Sequence, residues 1–215
     1  LAVRVDNTPP TDASTIRLAS EAFSPNDDGR GDSAVIRYVL DEDAAVTLRV
    51  SDALGNPFRT VVEDTARAAG DNIETWDGRN DDGSVAGDDT YVVELEAVDA
   101  AGNAVARKLN VVVDTVAPQA VIDMPGETAG ALVGMVPVSG TAFDERLSEW
   151  KLFLVDALNV ETLLTRGTTA RIGAWIFDFD TGTLNDTFTL RLDVVDSAGN
   201  ASSATRGVVL ANSAD

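Results

Sequence analysis

Tyr91-Val-Val-Glu-Leu-Glu-Ala-Val-Asp99 decides the fold class, because its apolar side chains recur at every second position. Tyr91, Val93, Leu95 and Ala97 fall on one face, whereas Glu94 and Glu96 fall on the other. Alternation with a period of two predicts a half-buried β-strand. The turn cluster Asp99-Ala-Ala-Gly-Asn103 and the apolar run Leu109-Asn-Val-Val-Val-Asp114 follow, so the sequence predicts a β-hairpin here.

The same hairpin pattern appears a second time near the end of the chain. Phe188-Thr-Leu-Arg-Leu-Asp-Val-Val-Asp196 is followed by Ser197-Ala-Gly-Asn200 and by the apolar run 207–210. In both copies the aromatic residue stands 12 positions before the Asn, so the register is kept. A pattern repeated in register predicts tandem domains.

The repeat divides the 215 residues into two β-domains and a short N-terminal segment. We predict one domain over residues 15–114 and another over residues 115–215. Residues 1–14 contain Asp6-Asn-Thr-Pro-Pro10, which resembles Asp114-Thr-Val-Ala-Pro118 between the two domains. We therefore interpret residues 1–14 as the tail of a preceding domain and a linker, within a longer array.

Short strands separated by turn clusters predict an all-β fold of tandem immunoglobulin/fibronectin-III-like β-sandwiches. In domain 1 the predicted strands cover residues 15–19, 34–40, 46–50, 58–62 and 72–76 and the hairpin. In domain 2 they cover residues 136–143, 150–155, 160–164 and 172–179 and the second hairpin. We predict that Trp76, Trp150 and Phe179 belong to the cores, because large aromatic side chains in small β-domains are mostly buried.

Composition and charge exclude several classes of function. The chain has no Cys and no His, which excludes disulfides, thiol nucleophiles and a Ser-His-Asp triad. The net charge of −20 makes nucleic acid an unsuitable partner. No apolar run approaches the length of a membrane span, so we expect no membrane insertion.

Several motifs of domain 1 occur in an order that resembles a known family. They are Phe23-Ser-Pro-Asn-Asp-Asp-Gly-Arg-Gly-Asp32, residues 46–55, Trp76-Asp-Gly-Arg79, Gly83, Gly87 and Tyr91. This region resembles the Ig-like domain named after the flagellar hook-capping protein, and domain 2 resembles related bacterial Ig-like repeats. The resemblance implies a secreted or cell-surface stalk module, because the rest of a hook cap is missing.

Two acidic loops distinguish domain 1 from domain 2: the first has no counterpart there, and the second is longer by six residues. In the first, Asn26, Asp28, the Arg30 carbonyl and Asp32 fall at alternate positions, which is a pattern of oxygen ligands suited to Ca²⁺. The alternative is a pair of solvated Asx turns, which Asp, Asn and Gly form without metal. We expect the second loop and the end of the last strand to lie beside the first; they contribute the candidate ligands Asp77, Asp81, Asp82 and Asp114.

The sequence predicts a structural spacer, stalk or adhesion module, not an enzyme, from a secreted or surface-anchored bacterial protein. Its expected partners are neighbouring Ig-like domains of the same chain and a cell-surface protein or glycan, and we expect a monomer. The alternative is a carbohydrate-binding accessory module of an exported hydrolase. An exposed Trp or Tyr on one sheet face would favour that alternative, since sugars stack on aromatic rings.

Overall fold

The computed structural model describes residues 5–127, 129–182 and 184–212 of the chain. Within these ranges almost all regular structure is strand, and the one helical element is the single 3-10 turn Ala13–Thr15. The chain divides into two compact units, Leu1–Thr115 (unit 1) and Val116–Asp215 (unit 2). The predicted fold class is confirmed: both units are β-sandwiches.

The described residues of unit 1 form eight strands in two sheets. The three-stranded sheet has the order β1-β3-β6, and the five-stranded sheet has the order β2-β8-β7-β4-β5. The strands are β1 (Arg17–Leu18), β2 (Ala22–Phe23), β3 (Ala34–Leu40), β4 (Ala44–Ser51), β5 (Pro57–Arg67), β6 (Gly70–Trp76), β7 (Asp89–Asp99) and β8 (Ala104–Val113).

In unit 2, the part of the chain that the structure describes forms seven strands in two sheets. Their orders are β13-β10-β9 and β12-β11-β14-β15. The strands are β9 (Gln119–Met124), β10 (Met135–Phe143), β11 (Leu147–Val155), β12 (Glu161–Gly167), β13 (Arg171–Asp180), β14 (Asn185–Asp196) and β15 (Ala201–Ala211). The two predicted hairpins are β7–β8 and β14–β15, each paired antiparallel along its length.

The core of each unit is formed by the inward faces of its two sheets. Along β7, Tyr91, Val93, Leu95 and Ala97 are all buried, as the alternation predicted. In unit 1, Trp76 lies 5.2 Å from both the Phe23 and the Tyr91 ring centroids, in edge-to-face geometry. The rings are attracted in that geometry because the positive edge of one meets the negative face of another.

The predicted core aromatics are confirmed. Trp76, Trp150 and Phe179 are each at most 3% exposed. The indole N–H groups of Trp76 and Trp150 donate to the carbonyls of Arg79 and Thr169, both at 2.9 Å. Each buried indole therefore has its polar group satisfied, as burial of Trp requires.

The first strand of unit 1 differs from the prediction. A single strand over residues 15–19 was expected, but the chain forms a 3-10 turn, then β1 in one sheet and β2 in the other. β2 runs parallel to β8, where Val112 N–H donates to the Glu21 carbonyl at 2.9 Å and Asp114 N–H to the Phe23 carbonyl at 3.1 Å. Unit 2 repeats this parallel contact: Leu132 N–H donates to the Val209 carbonyl, and Ala211 N–H to the Leu132 carbonyl.

Candidate metal centre

The first acidic loop, residues 24–33, joins β2 to β3 and is shaped by its own side chains. Asn26 Oδ1 accepts a hydrogen bond from Asp28 N–H at 3.1 Å, and Asp28 Oδ1 accepts one from Arg30 N–H at 2.8 Å. Asp32 Oδ2 accepts a hydrogen bond from Gly29 N–H at 2.8 Å. Arg30 is exposed. The bonds of Asn26 and Asp28 form Asx turns, in which a side-chain oxygen accepts from the backbone N–H two residues later.

Two polar atoms of this loop are buried without a hydrogen-bond partner in the described structure. They are Oδ1 of Asp32 and Oγ of Ser24, and Ser24 as a residue is fully buried. Ser24 N–H donates to the Gly31 carbonyl at 2.8 Å, so the two ends of the loop are held together. Buried polar atoms without partners are rare because desolvation is then uncompensated, and each asks for an explanation such as an ion or a water molecule.

The second acidic loop, residues 77–88, lies against the first. Arg79 Nη2 is 3.2 Å from Asp27 Oδ2, and the backbone of Gly78 approaches Pro25 so closely that a Cβ atom would lie 2.6 Å from the proline ring. Gly78 also has a φ of 73°, which favours glycine. The two loops are therefore in direct contact.

The predicted ligands of the second loop point to separate partners. Asp77 Oδ1 accepts from Arg79 N–H at 3.1 Å, and Asp81 Oδ1 accepts from Thr60 N–H at 3.2 Å. Asp82 is exposed at the loop tip. In the part of the chain that the structure describes, no predicted ligand from either loop belongs to a group of three carboxylates whose oxygens lie within 4.8 Å of one another.

Asp114 lies directly after β8, close to the start of the first loop. Its N–H donates to the Phe23 carbonyl at 3.1 Å, and the residue is 8% exposed. The neighbouring Asp88, at the end of the second loop, accepts from both the N–H and the hydroxyl of Thr115 at 2.9 Å. The end of the last strand therefore adjoins both acidic loops.

A compact carboxylate group that sequence reasoning missed is formed by Asp6, Glu42 and Asp99. One carboxylate oxygen from each lies within 4.8 Å of the others, which is close enough to hold a cation. Burial raises the pKa of Glu42, and the negative charges of Asp6 and Asp99 raise it further. The side-chain amide of Asn103 lowers the pKa of Asp99 by donating to Oδ2 at 2.7 Å. The three residues are far apart in sequence, so no local spacing predicts the group.

Sequence reasoning assigned no role to the third tryptophan, Trp175. It is 54% exposed, in contrast to the buried Trp76 and Trp150. Trp175 lies in β13, inside a stretch predicted only as a strand of domain 2.

The fold places both units in the class of immunoglobulin/fibronectin-III-like β-sandwich modules arranged in tandem. Residues 20–101 match the model of the FlgD Ig-like domain. The resemblance predicted for domain 1 is thereby confirmed. No curated protein matches the chain in sequence.

Solved structures support the fold of both units together. The chain is similar to the fibronectin(III)-like modules of Clostridium thermocellum CbhA, with a TM-score of 0.54 and 11% identity over 91% of this chain and 93% of that one. It is also similar to the FN1–FN3 domains of chicken CNTN1, with a TM-score of 0.55 and 12% identity over 98% of this chain and 71% of that one. At such identities the likeness concerns the fold alone. Within the described residues, no helix has the length and apolar character needed to cross a membrane.

Proposed function

We propose that this chain is a non-catalytic spacer, stalk or adhesion module of a larger secreted or cell-surface bacterial protein. The observation that carries the proposal is the tandem repetition of one sandwich plan, in which each unit has its own buried core. Modules that bury their cores separately can be joined in series without a shared active site. The flanking modules of the same chain are its first partners, and it acts as a monomer.

A surface location is tested by labelling cells of the source organism with an antibody raised against the 215-residue chain. A spacer of a surface protein gives signal on intact cells, and protease added outside the cells removes it. A cytoplasmic protein is labelled only after lysis. This result would contradict the surface location whatever the fold.

We further propose that the first acidic loop binds Ca²⁺ and that the ion stabilises unit 1. Support comes from Asp32, whose Oδ1 is buried without a partner in the described structure, and from the buried hydroxyl of Ser24 in the same loop. Calcium accepts six to eight oxygens from carboxylates, carbonyls and water. Asp28 and the Arg30 carbonyl are further candidate ligands in this loop.

The calcium proposal is tested by calorimetry of the whole chain after treatment with a chelator. A ligand that binds only the folded state raises its melting temperature, so millimolar CaCl₂ is expected to stabilise unit 1. Asp32→Asn keeps an acceptor for Gly29 N–H but removes the charge, and is expected to abolish the calcium-dependent shift. Asp71→Asn, at an exposed position of β6, is the matched control and should retain it. An unchanged melting temperature in the wild-type chain would contradict calcium binding and leave the Asx-turn interpretation.

A further inference from the structure

Trp175 lies on the outer face of the three-stranded sheet of unit 2, with its orientation fixed. Its indole N–H donates to Asp178 Oδ1 at 3.0 Å. Trp175 pairs with Ser139 of β10, and Ser139 pairs with Met124 of β9, so these three residues form one row across the sheet. Directly paired residues of neighbouring strands project from the same face.

A β-bulge explains why this indole faces solvent. Phe177 pairs with Val138 and Trp175 pairs with Ser139, so Ile176 is an extra residue in β13. Ile176 and Phe179 are buried at 3%, whereas Trp175 and Asp178 are exposed. An extra residue reverses the alternation of faces beyond it, so the bulge turns Trp175 away from the core.

The face that carries Trp175 presents exposed apolar side chains and, along β13, exposed carboxylates. Met124, Met135 and Val121 are 50%, 62% and 43% exposed. Asp178 and Asp180 are exposed farther along β13. β9 and β10 contain no Arg or Lys, and Arg171 of β13 pairs with the buried Ala142. The carboxylates of this face therefore have no cation among the strand residues that share it.

The corresponding sheet of unit 1 has no such platform. Its outward positions carry Arg37, which pairs with Ile73, and Val35, which pairs with Thr75. The exposed aromatic ring is thus a property of unit 2 and not of the sandwich plan.

We propose that the outer face of β9, β10 and β13 binds a neutral polysaccharide, with the Trp175 ring stacking on a sugar and Asp178 and Ser139 accepting hydrogen bonds from its hydroxyls. Hydrogen-bond complementarity and the aromatic ring favour this ligand: sugar hydroxyls can donate, and an ionised carboxylate only accepts. The same carboxylates repel an anionic polymer. The row Trp175–Ser139–Met124 crosses two interstrand spacings, about 10 Å, and offers a flat surface to an extended chain.

Affinity electrophoresis of the whole chain tests the proposal with three polymers as probes. Hydroxyethyl cellulose and dextran are neutral, and carboxymethyl cellulose is anionic. The wild-type chain is expected to be retarded by at least one neutral polymer and less by the anionic one. Trp175→Ala is expected to weaken the retarding interaction about tenfold, which corresponds to the loss of one aromatic stacking contact.

Matched variants and a spectroscopic measurement separate binding from folding. Leu163→Ala removes an exposed apolar side chain of β12, in the other sheet of unit 2, and should leave retardation unchanged. Because Trp76 and Trp150 are buried, the change in Trp emission on adding the retarding polymer should come from Trp175 and disappear in Trp175→Phe. Equal retardation of wild type and Trp175→Ala, or no retardation of wild type by either neutral polymer, overturns the proposal. Neither outcome bears on the spacer function.

Discussion

Asp99 Oδ2 accepts a hydrogen bond from Asn103 Nδ2 at 2.7 Å, while its Oδ1 accepts from the N–H groups of Ala101 and Asn103. One Asp thereby organises the whole turn between β7 and β8. The same relationship, at 2.8 Å in each case, links Asp52 to Asn56 in unit 1 and Asp196 to Asn200 in unit 2.

Asp196→Ala is expected to destabilise unit 2 by about 1–3 kcal/mol, because it leaves buried N–H groups unsatisfied. Asp196 is 2% exposed, and its Oδ1 accepts from Ala198, Gly199 and Asn200. Asp156→Ala is the control, since its turn makes similar bonds at the exposed surface. Calorimetry of both variants should show the larger loss for Asp196→Ala; equal losses would contradict the role of burial.

Acid is expected to destabilise unit 1 through Asp52 and Asp99. Hydrogen bonds from the side chains of Asn56 and Asn103 lower the pKa of these carboxyls in the folded state. The unfolded chain therefore binds protons more tightly, so the contribution is complete above about pH 5 and is lost as the pH falls through the folded pKa. Urea titrations at several pH values from 6 to 3 measure the slope of the unfolding free energy against pH.

Asn103→Ala should make this slope shallower, because it removes the largest cause of the lowered pKa of Asp99. Asn110→Ala, at an exposed position of β8, should leave the slope as in the wild type. An unchanged slope in Asn103→Ala would show that the amide does not control the carboxylate.

Glu42→Gln is expected to raise the stability of unit 1 at neutral pH in the presence of a chelator. Burial and the charges of Asp6 and Asp99 raise the pKa of Glu42, so the ionised form is disfavoured in the folded state. The contribution of Glu42 to the unfolding free energy therefore rises as the pH falls through the folded pKa, whereas that of Asp99 falls. Gln removes the charge and the repulsion.

The control for Glu42→Gln is Glu63→Gln, in which a surface ion pair with Arg49 at 3.3 Å is lost. That variant is expected to change the unfolding free energy little, since exposed ion pairs contribute little. If Glu42→Gln lowers the melting temperature in chelator, repulsion is not the dominant effect at this position.

Gly140→Ala is expected to destabilise unit 2 by about 1–3 kcal/mol through overpacking. A Cβ atom at Gly140 would overlap the backbone carbonyl of Val121 on the neighbouring strand, and backbone cannot move aside cheaply. Gly207→Ala, also within a strand of unit 2, adds a methyl group with nothing within 4 Å. Thermal unfolding should give a lower melting temperature for Gly140→Ala than for Gly207→Ala. Similar melting temperatures would contradict the close approach of Gly140 to the Val121 carbonyl.

The strands were predictable where one face is buried, and the exceptions have physical causes. β3 has the predicted limits because Ile36, Tyr38 and Leu40 alternate into the core. The division of the first strand into β1 and β2 could not be predicted from the sequence, because two residues are too few to show a periodicity. The exposure of Trp175 could not be predicted for another reason. Trp175, Phe177 and Phe179 stand at alternate positions and would face the same side of a regular strand, and only the bulge at Ile176 changes this.

The candidate metal site was predictable only in part. The oxygen-rich spacing of Asn26, Asp28 and Asp32 is local, so the sequence indicated the loop. The ion pair between Asp27 and Arg79 joins positions 52 residues apart, and the approach of Asp6, Glu42 and Asp99 depends on the fold of the whole unit. Local spacing cannot predict such contacts.

The parallel contact between β2 and β8 has a mechanical consequence. When the chain is pulled from its two ends, β2 is drawn toward the N-terminus of the chain and β8 toward the C-terminus. The bonds from Val112 to Glu21 and from Asp114 to Phe23 then bear the load together, in shear, and are not peeled apart one after the other. The contact of Leu132 with β15 gives unit 2 the same arrangement. In each unit, hydrogen bonds between parallel segments thus join an early part of the chain to the final strand, and we expect this arrangement to resist tension.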